Sequence, residues 1–131
     1  MFGSNPLTGS IGVVTINLPR LGYLSQTREE FYQKLTEMMQ TAHESLETKR
    51  DILEKLTDNG LYPYASHYLG SIKERFGKYW QNHFSTIGLV GMNEAALNFV
   101  GENIAQGKGR EFAEEVLDFM REKLMDYQNK T

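Results

Sequence analysis

One apolar stripe organises the middle of the chain. Phe31, Leu35, Met38, Ala42, Leu46, Leu53 and Leu56 recur at spacings of three, four and seven, the period of a helix with one buried face. Thr27 with Glu30 three residues on forms a capping box, in which each side chain answers the other residue's orphan N–H. Glu30 with Lys34 and Asp51 with Lys55 are i,i+4 pairs that add a few tenths of a kcal/mol each. Gly60 is placed to end the helix as a left-handed residue. The spacing predicts a helix near residues 28–58, roughly 45 Å long at 1.5 Å per residue.

Two short apolar runs flank that helix. The first, IGVVTINL at residues 11–18, is dense in β-branched residues and stops at Pro19, which reads as a strand. Alternation sends Gly12, Val14, Ile16 and Leu18 to one face and Ile11, Val13, Thr15 and Asn17 to the other. Both faces begin apolar, as in a strand covered on both sides of a parallel sheet, and the second face turns polar only at Thr15 and Asn17. The other run, STIGLVGM at residues 85–92, has the same character. Between them LYPY is expected to be extended around Pro63, with a short helix near 66–79 interrupted by Gly70 and Gly77. Asn93 can cap a helix near 93–105 carrying Leu97, Val100 and Ile104, and a last amphipathic helix is expected near 110–128.

Strand, long helix, strand, helix is a βαβα order, and a parallel pair with a right-handed crossover is its physical expectation. The fold class is α/β and α-rich, in a single domain over 1–131 that the family resemblance below makes a partial one. Two strands are too few for a parallel sheet covered on both faces. Either they make a small α-rich unit by themselves, or the rest of a larger sheet is missing.

Composition narrows the partners. The 131 residues have a formal charge of −3, and 14 Lys and Arg are spread without a basic block, so a nucleic-acid polymer is not the expected partner. No apolar run approaches the roughly 18 residues needed to span a bilayer, and the first ten residues lack the basic-then-apolar order of a signal peptide. A cytoplasmic protein with no membrane partner is the expectation. The chain has zero Cys, which removes disulfides, thiolate metal sites and thiyl chemistry from it. His43, His67 and His83 are far apart in sequence, so no metal site is expected.

Ligands of parallel α/β sheets gather at the C-terminal ends of strands. There the first strand offers Asn17, Pro19 and Arg20, and the second Gly91, Met92, Asn93 and Glu94. Asn17 both donates and accepts hydrogen bonds, so it can orient a sugar hydroxyl, or it can simply fix the turn before Pro19. The run from Gly88 to Gly91 before a helix resembles a phosphate cradle, yet it lacks the Lys-Ser/Thr of a nucleotide loop; glycines that permit close strand–helix packing are the preferred explanation. His83 lies just ahead of the second strand with no chemical role assigned by pattern.

Two stretches carry a family resemblance. GSNPLTGSIGVVTINLPRLGYL at 3–24 resembles the segment after the radical-bearing finger loop of anaerobic, class III, glycyl-radical ribonucleoside-triphosphate reductases. NHFSTIGLVGMNEAALNF at 82–99 resembles the next barrel strand and helix, and LYPY between them also fits. The likeness extends to about Phe99 and is vague in KERFGKYW and the final helix.

The resemblance implies a ten-stranded α/β barrel, of which this chain supplies two neighbouring strands and their covering helices. It implies reduction of ribonucleoside triphosphates to 2′-deoxyribonucleoside triphosphates by radical chemistry, for DNA precursor synthesis. The family uses a glycyl radical made by a radical-SAM activating enzyme, formate as reductant and a structural zinc, all expected outside this segment, so no cofactor is expected in this chain. The finger cysteine, its partner cysteine, the zinc cysteines, the glycyl loop and the N-terminal nucleotide-binding regulatory region have no counterpart here. The chain is thus expected to be an internal fragment, inactive alone.

By the same resemblance Asn17 is the barrel-end residue nearest the ribose. Gly91, Asn93 and Glu94 lie at the substrate mouth, with His83 and Ser85 from the second motif. Implied partners are the rest of the parent reductase, the activating enzyme and a ribonucleoside triphosphate, with self-association through exposed strand edges or helices. The competing readings are a small α-rich binding or interaction module with no catalytic role, and an autonomous phosphate-binding domain using residues 88–93.

Overall fold

The computed structural model describes residues 7–130. In chain order they form β1 (Ser10–Asn17), α1 (Leu18–Leu24), α2 (Arg28–Asp58), α3 (Pro63–Tyr68), α4 (Gly70–Phe76), β2 (Phe84–Val90), α5 (Met92–Val100) and α6 (Gly107–Lys130). β1 and β2 pair directly in a two-stranded parallel sheet. The chain is therefore α/β and mostly helical, as its pattern predicted.

The described residues divide into two compact units. One holds the residues through Val14 together with Glu44–Ile87; the other holds Thr15–His43 and the residues from Gly88 onward. β1, α2 and β2 each contribute residues to both.

In the second unit the first half of α2 buries Phe31, Leu35, Met39 and Ala42. Phe31 sits with its ring centroid 5.4 Å from Phe99 and 5.2 Å from Phe112. Phe31 and Phe112 are wholly buried, and each contributes about 1.5–3 kcal/mol from apolar area alone. α6 adds Val116, Met120 and Tyr127, and α5 adds Ala95 and Ala96. α1 packs against α5 closely enough that a Cβ on Gly22 would stand 2.9 Å from the Ala95 carbonyl oxygen. Arg28 pairs with Glu115 across this unit.

The predicted stripe on α2 needs one correction. Met39 is buried and Met38 is 47 % exposed. The 3.6-residue period drifts off any strict choice of three and four, and Met39 keeps the spacing of four from Leu35. The start of α2 differs in detail as well. Thr27 Oγ1 accepts from Glu30 N at 3.2 Å, but the Glu30 carboxylate reaches back to Gln26 N at 3.0 Å rather than to Thr27.

In the first unit α2 ends at Gly60 (φ +83°), where Leu61 N donates to Leu56 O and Gly60 N to Thr57 O. This pair of bonds is a Schellman closure and satisfies two otherwise orphaned carbonyls. Leu46 of α2, Leu69, Ile72 of α4 and Ile11 of β1 are the buried apolar residues here. Pro63, expected in extended chain, instead opens α3. Proline is well suited to the first helical turn, where its missing N–H has no partner to lose.

Two further boundaries move. Leu18 belongs to α1 rather than to β1, and α5 ends at Val100 rather than near 105, with Gly101 (φ +78°) closing it. The expectation that β1 is covered on both sides is not met among the described residues. Val13, Thr15 and Asn17 of β1 are exposed, as are Phe84, Thr86 and Val90 of β2.

Candidate functional site

β1 and β2 run in the same direction, so a parallel pair delivers both C-terminal ends to one side. The chemistry of that corner begins with Asn17. Its side-chain Oδ1 accepts from Arg20 N at 3.3 Å, capping α1. The capped N–H fixes the amide orientation, because only the oxygen can accept from Arg20 N. Asn17 itself is exposed, and its Nδ2 carries the two donors that Oδ1 lacks. The turn-fixing and ligand-orienting readings of Asn17 thus use different atoms of one amide.

Pro19 is the second element. In sequence it marks a strand stop; it also sits in the first turn of α1, where a fixed φ favours helix. Its ring packs against Gly91. A Cβ at position 91 would fall inside the Pro19 Cγ and lie 2.7 Å from Cδ. The backbone of Gly91 is left-handed at φ +74°, so glycine is required there on two counts. From α5, Asn98 Nδ2 donates to the Pro19 carbonyl at 3.1 Å. Nothing in the local sequence pattern marks Asn98, since its partner lies 79 residues away.

Gly91 leads into α5 without a side-chain cap. Glu94, in the first turn, places Oε2 3.4 Å from the position a Gly91 Cβ would take. A carboxylate there interacts well with the positive end of the helix. Asn93 Oδ1 accepts from Ile104 N at 3.2 Å and so ties the loop after α5 to its start. Gly88 has open space, with Thr15 Oγ1 the nearest group at 3.9 Å. The corner therefore presents amide donors from Asn17, the exposed Arg20, and the carboxylate of Glu94. Mixed donors and acceptors of this kind suit a hydroxyl-bearing ligand.

His83 and Ser85 fall in the other unit, at the start of β2, where they join a different cluster. Arg50 of α2 donates to Ser85 Oγ and His83 O, both at 2.8 Å, and to Trp80 O. Glu54 accepts from Tyr79 N at 3.0 Å and Trp80 N at 2.6 Å, while Trp80 Nε1 donates to Thr57 Oγ1 at 2.9 Å. These bonds clasp the segment ahead of β2 onto α2. The Trp80 and His83 rings meet edge to face at 4.8 Å. His83 Nδ1 is buried without a hydrogen-bond partner. Burial, and then the neighbouring Arg50 guanidinium, holds the imidazole below its ordinary pKa. Ser85 thus has a structural partner in this cluster. Glu54 and Thr57 were missed by the stripe reading, although two polar residues inside an apolar register are the visible trace of such a clasp.

Among the described residues no group of three His, Asp or Glu side chains is placed to hold a metal ion. No helix among them is long and apolar enough to cross a membrane. A family model described as anaerobic ribonucleoside-triphosphate reductase matches residues 2–131. No curated protein and no solved structure matches the chain.

Proposed function

Because the chain belongs to the anaerobic ribonucleoside-triphosphate reductase family, we propose that it forms two neighbouring strands, with their helices, in the wall of that family's catalytic barrel. The parent enzyme reduces ribonucleoside triphosphates to 2′-deoxyribonucleoside triphosphates by radical chemistry. The observation that carries the reading is the joint ending of β1 and β2, where Pro19 seats on Gly91 and is held by Asn98. The exposed strand face through Thr15 and Asn17 is the face such a wall turns toward its lumen.

In this reading Asn17 does the work nearest the sugar. Its Oδ1 is engaged by Arg20 N, so the amide is oriented before any ligand arrives, and its Nδ2 donates to a ribose oxygen. A donor held in place loses little freedom on binding and positions the reacting carbon. Glu94 accepts from a ligand hydroxyl at the mouth, beside Gly91 and Asn93. His83 and Ser85, held by Arg50, support the start of β2.

The glycyl radical, formate and structural zinc of the family belong to other segments of the parent. A thiyl radical needs a cysteine, and this chain has zero Cys; its residues do not fit the radical-carrying role, and the isolated chain does not turn over. Asn17→Ala in the reductase carrying this segment tests the assignment. Product formation from a ribonucleoside triphosphate is expected to fall by about 100-fold, the scale of a lost positioning group, with the protein still folded. A rate within twofold of the parent overturns the role of Asn17.

A further inference from the structure

We infer that Asn98 is a positioning residue for the reductase reaction, acting through the Pro19 carbonyl on Asn17. This deepens the proposed function and rests on the role given there to Asn17.

α1 lies on α5 through the close approach of Gly22 to Ala95, which leaves its first turn, at the end of β1, to be held separately. Asn17, the last residue of β1, caps a helix of only 7 residues. A helix that short has little stability of its own, so its start is held by what packs on it. Two atoms groups from the β2–α5 segment do this. The missing side chain of Gly91 admits the Pro19 ring, which blocks sideways movement. Asn98 Nδ2 takes the Pro19 carbonyl at 3.1 Å, which fixes the rotation of the peptide plane after Pro19. That peptide supplies Arg20 N, the group that in turn orients Asn17 Oδ1 at 3.3 Å. The chain of contacts is Asn98 Nδ2 to Pro19 O, across one peptide to Arg20 N, and on to Asn17 Oδ1. Losing the first contact lets the peptide rock, and the amide it orients loses its aim.

Asn98 is exposed and is not among the residues buried in the core, so its removal does not empty the interior. A surface asparagine with one hydrogen bond to a distant carbonyl has a small effect on stability. A positioning role makes the opposite demand on activity, since small misplacement of an orienting group costs rate steeply.

The test is a double-mutant cycle in the reductase carrying this segment, with deoxyribonucleotide formation as the readout. Asn98→Ala and Asn98→Asp are compared, the second keeping the shape while replacing the donor by an acceptor. Each is expected to lower kcat about tenfold with KM within about twofold, and thermal unfolding is expected to stay near that of the parent. In an Asn17→Ala background the same changes are expected to lower kcat no further. If Asn17→Ala lowers kcat and Asn98→Ala does not, or if the two effects multiply, the positioning role is overturned while Asn17 keeps its own. If Asn17→Ala itself leaves kcat unchanged, the reading of Asn17 falls and this inference falls with it.

Discussion

At position 91 two constraints coincide. The backbone has φ +74°, which costs a residue with a Cβ about 1–2 kcal/mol, and the Cβ itself would enter the ring of Pro19. Adding atoms to a filled contact costs a further 1–3 kcal/mol or so. Gly91→Ala is expected to destabilise the isolated chain by about 2–4 kcal/mol in chemical denaturation. Gly88→Ala, with open space around it, is the control and should shift stability by less than about 1 kcal/mol. Equal effects at the two positions would contradict the seat that Pro19 occupies.

His83 makes a pH prediction of definite sign. Its folded-state pKa lies below the ordinary value, through burial first and Arg50 second. As pH falls through about 6.5, the ordinary histidine value, the unfolded chain takes up a proton that the folded chain resists. Stability is then fully present above that pH and is lost on acidification toward the lowered folded value. His83→Gln removes this proton uptake, so its stability should fall less steeply than the parent's between pH 7 and pH 5. Parallel slopes would show that the imidazole makes no contribution.

At the scale of elements, polar groups hold the C-terminal half of α2 to the segment before β2. Glu54 is 8 % exposed and Thr57 2 %, and both bond to residues 79–80. Glu54→Ala leaves two amide N–H groups without an acceptor, at a cost of about 2–4 kcal/mol. Glu54→Gln retains one acceptor oxygen and should cost less. Amide exchange at Tyr79 and Trp80 should quicken selectively in Glu54→Ala; unchanged exchange there would dissolve the clasp.

The elements also show what a sequence can carry. α2 announces its period over 31 residues, and β1 and β2 announce themselves by β-branched density. α1 is invisible because its only local marks, Asn17 and Pro19, read equally as a strand stop. Met38 keeps a strict seven-residue spacing from Phe31, yet Met39 is the buried one, because that spacing drifts from the true helical period. The strand-end rule points to Asn17 and residues 91–94, which the parallel sheet brings to one side. Asn98, Arg50 and Glu54 stayed hidden because each answers a backbone group 25 or more residues away, and no short pattern encodes such a partner.

For the whole molecule, membership of the reductase family rests on a match across residues 2–131. It gives meaning to a sheet of two strands whose exposed residues include Val13, Phe84 and Val90. A two-stranded parallel sheet with apolar side chains facing water is unusual in isolation, and the barrel wall proposed above would cover those side chains. In that proposal the corner formed by Asn17, Pro19 and Gly91 stands at the substrate.

Substrate protection measures that most directly. Glu94 is exposed beside Gly91, and Glu94→Cys in the reductase carrying this segment gives a thiol whose alkylation can be followed by peptide mass spectrometry. Glu74→Cys on α4, also exposed, is the reference. A ribonucleoside triphosphate at ten times its Kd should slow alkylation at position 94 about tenfold, following simple occupancy, and leave position 74 unaffected. Unchanged alkylation at 94 under those conditions, or equal protection at 74, would contradict a substrate mouth at this corner.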